Sequence, residues 1–170
     1  MGKYFVFLLI SVLLIACSSK VAHKIKPTLQ WLTVEEVQEK MKTDPKKVLI
    51  DFHTEWCVWC KKMAKTTFTH PKVIDYLNKH FYAVRFDAES RESLLFKGKL
   101  FDNKKRTHDF AIDQATINGR LSFPTIVYYN EQLERIKVVP GYYNYSMYLD
   151  LIKYFGDNHY QTTSFEAYFD

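Results

Sequence analysis

Residues 47–60 read Lys47-Val48-Leu49-Ile50-Asp51-Phe52-His53-Thr54-Glu55-Trp56-Cys57-Val58-Trp59-Cys60, and the fold is decided here. Lys47 to His53 is a short, mainly apolar run of the length of a buried central strand, interrupted by one carboxylate. A Cys-x-x-Cys follows at the junction where a helix is predicted to begin. Two cysteines at that spacing are the minimum machinery for exchanging a thiol pair with a disulfide. A helix opening at Cys57 aims its unpaired N–H groups and the positive end of its dipole at the first sulfur, which favours the thiolate. Cys60, one turn later, comes within bonding reach. The expectation is a solvent-facing, nucleophilic Cys57 and a more buried, resolving Cys60.

Outward from this stretch, Thr33-Val34-Glu35-Glu36 matches a capping box and predicts a helix over 34–42, broken by Asp44-Pro45. The Cys57 helix is expected to end near Thr67. Pro71 suits a first helical position, with Val73, Ile74, Leu77 and Phe81 on one face, and Tyr82 to Asp87 alternates like a strand. From 88 to 120 the pattern weakens and reads as an insertion: a loop, a helix over 107–117, and a stop at Asn118-Gly119. Thr125 to Tyr129 is the clearest strand, joined through Asn130-Glu131-Gln132 to a hairpin partner over Leu133–Val139. A last amphipathic helix runs from Tyr145 to Phe155 and is closed by Gly156. The tail 157–170 carries Tyr160, Phe165, Tyr168 and Phe169 and is expected to pack back on the domain.

With 47% hydrophobic and 16% aromatic residues in a chain of 170, a disordered chain is excluded and one domain with a real core is expected. The net charge of +5 is spread along the chain, and Lys104-Lys105-Arg106 reads as a solvated loop, so no nucleic-acid partner is expected. Zinc needs four ligands, and no second Cys-x-x-Cys or spaced histidine pair is present; no metal is expected.

At the N-terminus, Lys3 precedes an apolar stretch, Tyr4 to Ala16, too short for a conventional membrane-spanning helix. Its end, Leu14-Ile15-Ala16-Cys17, resembles the bacterial lipobox. That resemblance implies removal of residues 1–16 as a signal peptide, a diacylglycerol on Cys17 and a tether over 17–29. It also implies a periplasm-facing place in the cell envelope, at the outer membrane by the serine at 18.

The order strand–CxxC helix–strand–helix–strand–strand–helix resembles the thioredoxin fold, an α/β architecture with a central mixed sheet flanked by helices. An acid, Asp51, stands six positions before the first cysteine. Ser122-Phe123-Pro124-Thr125 resembles the family's cis-proline loop, and Pro140-Gly141-Tyr142 falls near its glycine-containing segment. The stretch from Trp56 to Asp87 is similar to the C-terminal thioredoxin-like domain of the transmembrane disulfide reductase and to related envelope lipoproteins. The resemblance covers about 30–156, taken as the thioredoxin-like domain.

It implies that Asp51 lies under Cys60 and accepts its proton, and that Pro124 faces the disulfide through a cis bond. The Phe123 backbone is then free to pair with an extended substrate. Trp56 and Trp59 beside the sulfur read as an apolar platform for a partner, with Trp56 as a core residue the alternative reading. His53 is expected as an interior strand residue. The implied function is a membrane-tethered thiol–disulfide oxidoreductase that reduces or rearranges disulfides. Its partners are protein thiols and disulfides of the envelope and an upstream electron donor. No cofactor is implied beyond the Cys57–Cys60 pair. The rival reading is a non-catalytic binding or chaperone-like module on the same scaffold. Two departures stand out: Val58-Trp59 occupies the place of Gly-Pro, and no lysine matches the one the family keeps beside its buried acid, although Arg85 is near in sequence.

Overall fold

A strand can be buried on both faces only if other elements cover both sides of its sheet, and the run at 47–53 is such a strand. The computed structural model of the chain describes residues 27–170. The expected signal segment 1–16, Cys17 and most of the expected tether lie outside the described residues. Strand β2 (Lys47–His53) is buried at every position and sits centrally in a five-stranded sheet. The other strands are β1 (Trp31–Leu32), β3 (Phe81–Asp87), β6 (Thr125–Tyr129) and β7 (Arg135–Pro140); β4 and β5 form a separate hairpin. The sheet order is β1-β3-β2-β6-β7, with β1, β3 and β2 parallel and β6 and β7 antiparallel.

Alternation along β2 divides the interior in two. Val48, Ile50 and Phe52 face a core built with α1 (Val34–Lys40), the hairpin β4–β5 (Leu94–Phe96, Lys99–Phe101) and α4 (Asp109–Ala115). Leu49 and, by the same alternation, Asp51 face the opposite core. That core is built with α2 (Val58–Thr66), α3 (Pro71–His80) and α5 (Tyr145–Gly156).

Local signals explain most boundaries. Thr33 and Glu36 form the expected reciprocal cap, and Pro71 opens α3. α1 ends at Lys40, two residues short of the expected end, and α4 is shorter than its expected span at both ends. β7 begins at Arg135, because Leu133 takes a positive φ of 56° and Asn130 Oδ1 accepts the N–H groups of Gln132 and Glu134, lengthening the turn. Gly156 does not close α5 by conformation. The chain leaves the helix through Asp157, with Asn158 in the left-handed region.

The hairpin β4–β5 replaces the loop expected after β3. Lys97 and Gly98 both have positive φ (50° and 78°), as a two-residue hairpin turn of matching twist requires. Leu94, Phe96 and Phe101 are buried on the core side. Gln38 of α1 fastens the hairpin by donating to Leu95 O and accepting from Lys97 N–H, at 2.8 and 2.9 Å. The tail forms a short 3-10 helix (His159–Gln161) and α6 (Phe165–Phe169), whose rings pack on Tyr154 and Phe155.

Candidate active site

Where β2 ends, Thr54-Glu55-Trp56 carries the chain into Cys57, the N-cap of α2. Cys57 N–H donates to Thr54 O (3.2 Å), and Cys57 Sγ accepts from Cys60 N–H (3.1 Å). The two cysteines form a disulfide, with an S–S distance of 2.03 Å. The expectation of a solvent-facing Cys57 needs correction. In the oxidised form Cys57 is only 4% exposed, against 2% for Cys60, because the capping geometry folds its sulfur back over the first turn.

Asp51 is 1% exposed. The parallel register places it opposite Arg85 of β3, and Arg85 Nε lies 3.4 Å from Asp51 Oδ2. The contact is an ion pair rather than a directed hydrogen bond: neither Arg85 Nε nor Asp51 Oδ1 has a hydrogen-bond partner. Burial dominates the electrostatics and pushes the Asp51 carboxyl up to about 7, with the Arg85 guanidinium pulling it partly back. Arg85 was near in sequence but without a direction; only the strand register gives it one. Arg85 is also among the residues that line a cavity of about 230 Å³ with the start of α1 and residues 90–94. Burial, and to a smaller extent the charge of Asp51, raises the phenols of the fully buried Tyr128 and Tyr148.

The remaining sequence-predicted residues fall around the disulfide helix. The Phe123–Pro124 bond is cis and leads directly into β6. Trp56 and Trp59 are 57% and 53% exposed. Trp56 packs edge-on against Phe123 at 6.1 Å, and Trp59 lies against Tyr142 at 5.2 Å. His53 is an interior strand residue as expected. Burial and then Arg85 pull its imidazole below the ordinary value.

Three residues around the tryptophans escaped the sequence reading. Lys62 sits over both Trp59 and Tyr142, at 4.9 and 5.0 Å from the ring centres. Arg106 lies 5.9 Å from the Trp56 ring and pairs with Glu89 at 3.0 Å. Trp56 and then Arg106 hold the Glu89 carboxyl below the usual range. Lys62 was visible as one turn from Trp59, but the approach of Arg106 depends on how residues 89–106 fold. Among the described residues, no three His, Cys, Asp or Glu side chains gather as a metal-ligand set. Nor is any described helix long and apolar enough to cross a membrane.

Comparison with known proteins agrees with this geometry. Residues 34–156 match the family model of a thioredoxin-like domain. The chain is similar to a protein of Vibrio vulnificus named thiol:disulfide interchange protein DsbD, 36% identical over 63 residues. That match takes in 35% of this chain and 10% of the relative. The protein of the same name from Photorhabdus laumondii is 24% identical over 106 residues, covering 62% of this chain and 15% of the relative. The chain therefore spans only a small part of the curated relatives it matches. Among solved structures, a thioredoxin-fold protein from Helicobacter pylori superposes with a TM-score of 0.57 at 24% identity. That superposition covers 74% of this chain and 79% of the other.

Proposed function

The chain belongs to the thioredoxin-like domain family, and from that premise we propose that it is a membrane-tethered thiol–disulfide oxidoreductase that reduces or rearranges disulfides of envelope proteins. One observation carries the reading: a disulfide at the opening of α2, on a sheet whose central strand buries a carboxyl that titrates near neutrality.

In the reduced protein, the Cys57 thiolate attacks one sulfur of a client disulfide. The client S–S bond breaks, its second sulfur leaves as a thiolate and takes a proton, and a mixed disulfide joins Cys57 to the client. Cys60 then gives its proton to the Asp51 carboxylate and attacks Cys57 Sγ. The client departs as a dithiol, and two electrons have passed to it from the Cys57–Cys60 pair. A donor dithiol reduces the pair for the next cycle. Because thiolate is the attacking species, the helix N-terminus at Cys57 supports the first step, and an acid poised near 7 supports the second. Trp56, Trp59, Phe123 and Pro124 serve as the surface against which the client lies.

The envelope placement rests on the sequence: residues 1–16 as a signal peptide, lipid on Cys17 and 17–29 as a tether, with the domain over 30–156. The name of the curated relatives supports the chemistry. Insulin reduction by purified protein tests the nucleophile: Cys57→Ser should have no turnover, and retained activity would sink the assignment. Cys60→Ser should accumulate mixed disulfides with envelope proteins, whereas a passive binding module would accumulate none.

A further inference from the structure

The two tryptophans beside the disulfide are braced in the same way, each by a second aromatic ring and a cation. Trp59 carries Tyr142 and Lys62; Trp56 carries Phe123 and Arg106. Arg106 comes from the segment between β3 and α4, and that segment is firmly tied. Asn103 Nδ2 donates to the carbonyls of Ser90 (2.7 Å), Glu89 (3.2 Å) and Arg106 (3.3 Å), and Arg91 donates to Lys105 O (2.6 Å). Glu89 then aligns the guanidinium, whose side chain remains 79% exposed.

The charge around the disulfide is one-sided. α2 carries Lys61, Lys62 and Lys65 and no acid. Among the described residues, no carboxylate lies within ion-pair distance of Lys61 or Lys62. Of the nearby acids, Glu89 pairs with Arg106 through Nε at 3.0 Å, and the two charges offset each other. Among the described residues the terminal guanidinium nitrogens of Arg106 hold no hydrogen bond and stay open to a second carboxylate, and Glu55 is the exposed carboxylate of the turn. Before Arg106 in the chain, Lys104 pairs with Asp102 at 3.9 Å and Lys105 adds a further positive charge. Both cations are held over aromatic faces yet remain exposed, so each is oriented and accessible to an approaching anion.

We propose that this rim selects client segments with acidic side chains on both sides of the attacked cysteine. Arg106, positioned by the segment 89–106, reads one flank, and Lys62 of α2 reads the other. The proposal rests on the oxidoreductase reading and adds to it a substrate preference and a role for the segment between β3 and α4.

The test uses two synthetic peptides, each closed by one disulfide and differing only in Glu or Lys on either side of the attacked cysteine. The pre-reduced protein is mixed with each, and its oxidation is followed by tryptophan fluorescence. At low salt the Glu peptide should react about threefold to tenfold faster, the scale of two exposed ion pairs. The preference should vanish in roughly 1 M salt, where the screening length is about 3 Å. Arg106→Glu combined with Lys62→Glu should reverse it. Equal rates on the two peptides, or a preference unmoved by the double substitution, would overturn the proposal while leaving the oxidoreductase reading intact. Reaction with neither peptide would overturn both.

Discussion

Asp51 is a carboxylic acid held away from water beside a guanidinium that does not fully compensate for its burial, and this residue makes the most direct predictions. The folded carboxyl titrates near 7 against an ordinary value of 3.8. Between those values the folded state retains a proton that the unfolded state has lost. Stability therefore declines as pH rises through this window and levels off above about 7. Asp51→Asn removes the titrating group: thermal melts should show a smaller loss of Tm than wild type between pH 4 and pH 8. In catalysis the sign is opposite, since the carboxyl accepts the Cys60 proton only when ionised. The resolving step in single-turnover kinetics should accelerate through pH 7, and Asp51→Asn should slow it on the order of 10²-fold at pH 8. Arg85 pulls the carboxyl down, so Arg85→Met should shift the midpoint of that profile upward; an unchanged midpoint would show the ion pair to be irrelevant to the proton transfer. Asp51 as a strand acid was legible at six positions before Cys57. Its counter-ion was not, because the pairing joins residues on two strands and only parallel register brings them level.

Between elements, close approach explains residues that local propensity does not. Gly156 lies inside α5 where no turn requires it, but an added Cβ would stand 2.3 Å from the Tyr76 hydroxyl of α3. Tyr76 is fixed by its bond to Asp157 (2.8 Å) and by stacking on His80 at 4.3 Å. Gly156→Ala must displace that ring and should cost about 1–3 kcal/mol in denaturant titration. In a Tyr76→Ala background the same substitution should cost far less, as a coupled pair requires. On the other face, Phe110 of α4 meets Phe52 and Phe86 of the sheet and Phe96 and Phe101 of the hairpin, all with ring centres within 5.5 Å. Phe110→Ala should destabilise by about 3–5 kcal/mol and loosen the hairpin, measurable as faster amide exchange over 94–101. His108 joins the same elements. Its Nδ1 accepts from Phe110 N–H, and its Nε2 contacts Glu92 O at 2.9 Å. The hairpin was present in the sequence as Leu94-Leu95-Phe96 and Lys99-Leu100-Phe101 around Lys97-Gly98, but three-residue strands give too little alternation to separate from a loop. What makes them strands is burial against α4 and the grip of Gln38.

Across the whole molecule, one sheet separates two cores, and the site stands at the end of its central strand where α2 begins. The tail closes the core built with α2, α3 and α5: Tyr154 is 4% exposed because α6 rings cover it, and its hydroxyl donates to Thr163 O at 2.7 Å. Deleting residues 159–170 should lower stability by about 2 kcal/mol or more, the value of re-exposing one large aromatic side chain, while turnover per folded molecule is kept. The strand-then-CxxC junction, the Thr33 cap, the Pro71 start and the β6 strand follow from residue order alone, since each depends on neighbours within one turn or one alternation. Folding in three dimensions decided the Asp51–Arg85 pair, the burial of Cys57, the β4–β5 hairpin and the placing of Arg106 beside Trp56. Each of these joins side chains far apart in the chain or sets a residue's access to water, and both depend on register and packing, which periodicity along the chain does not encode.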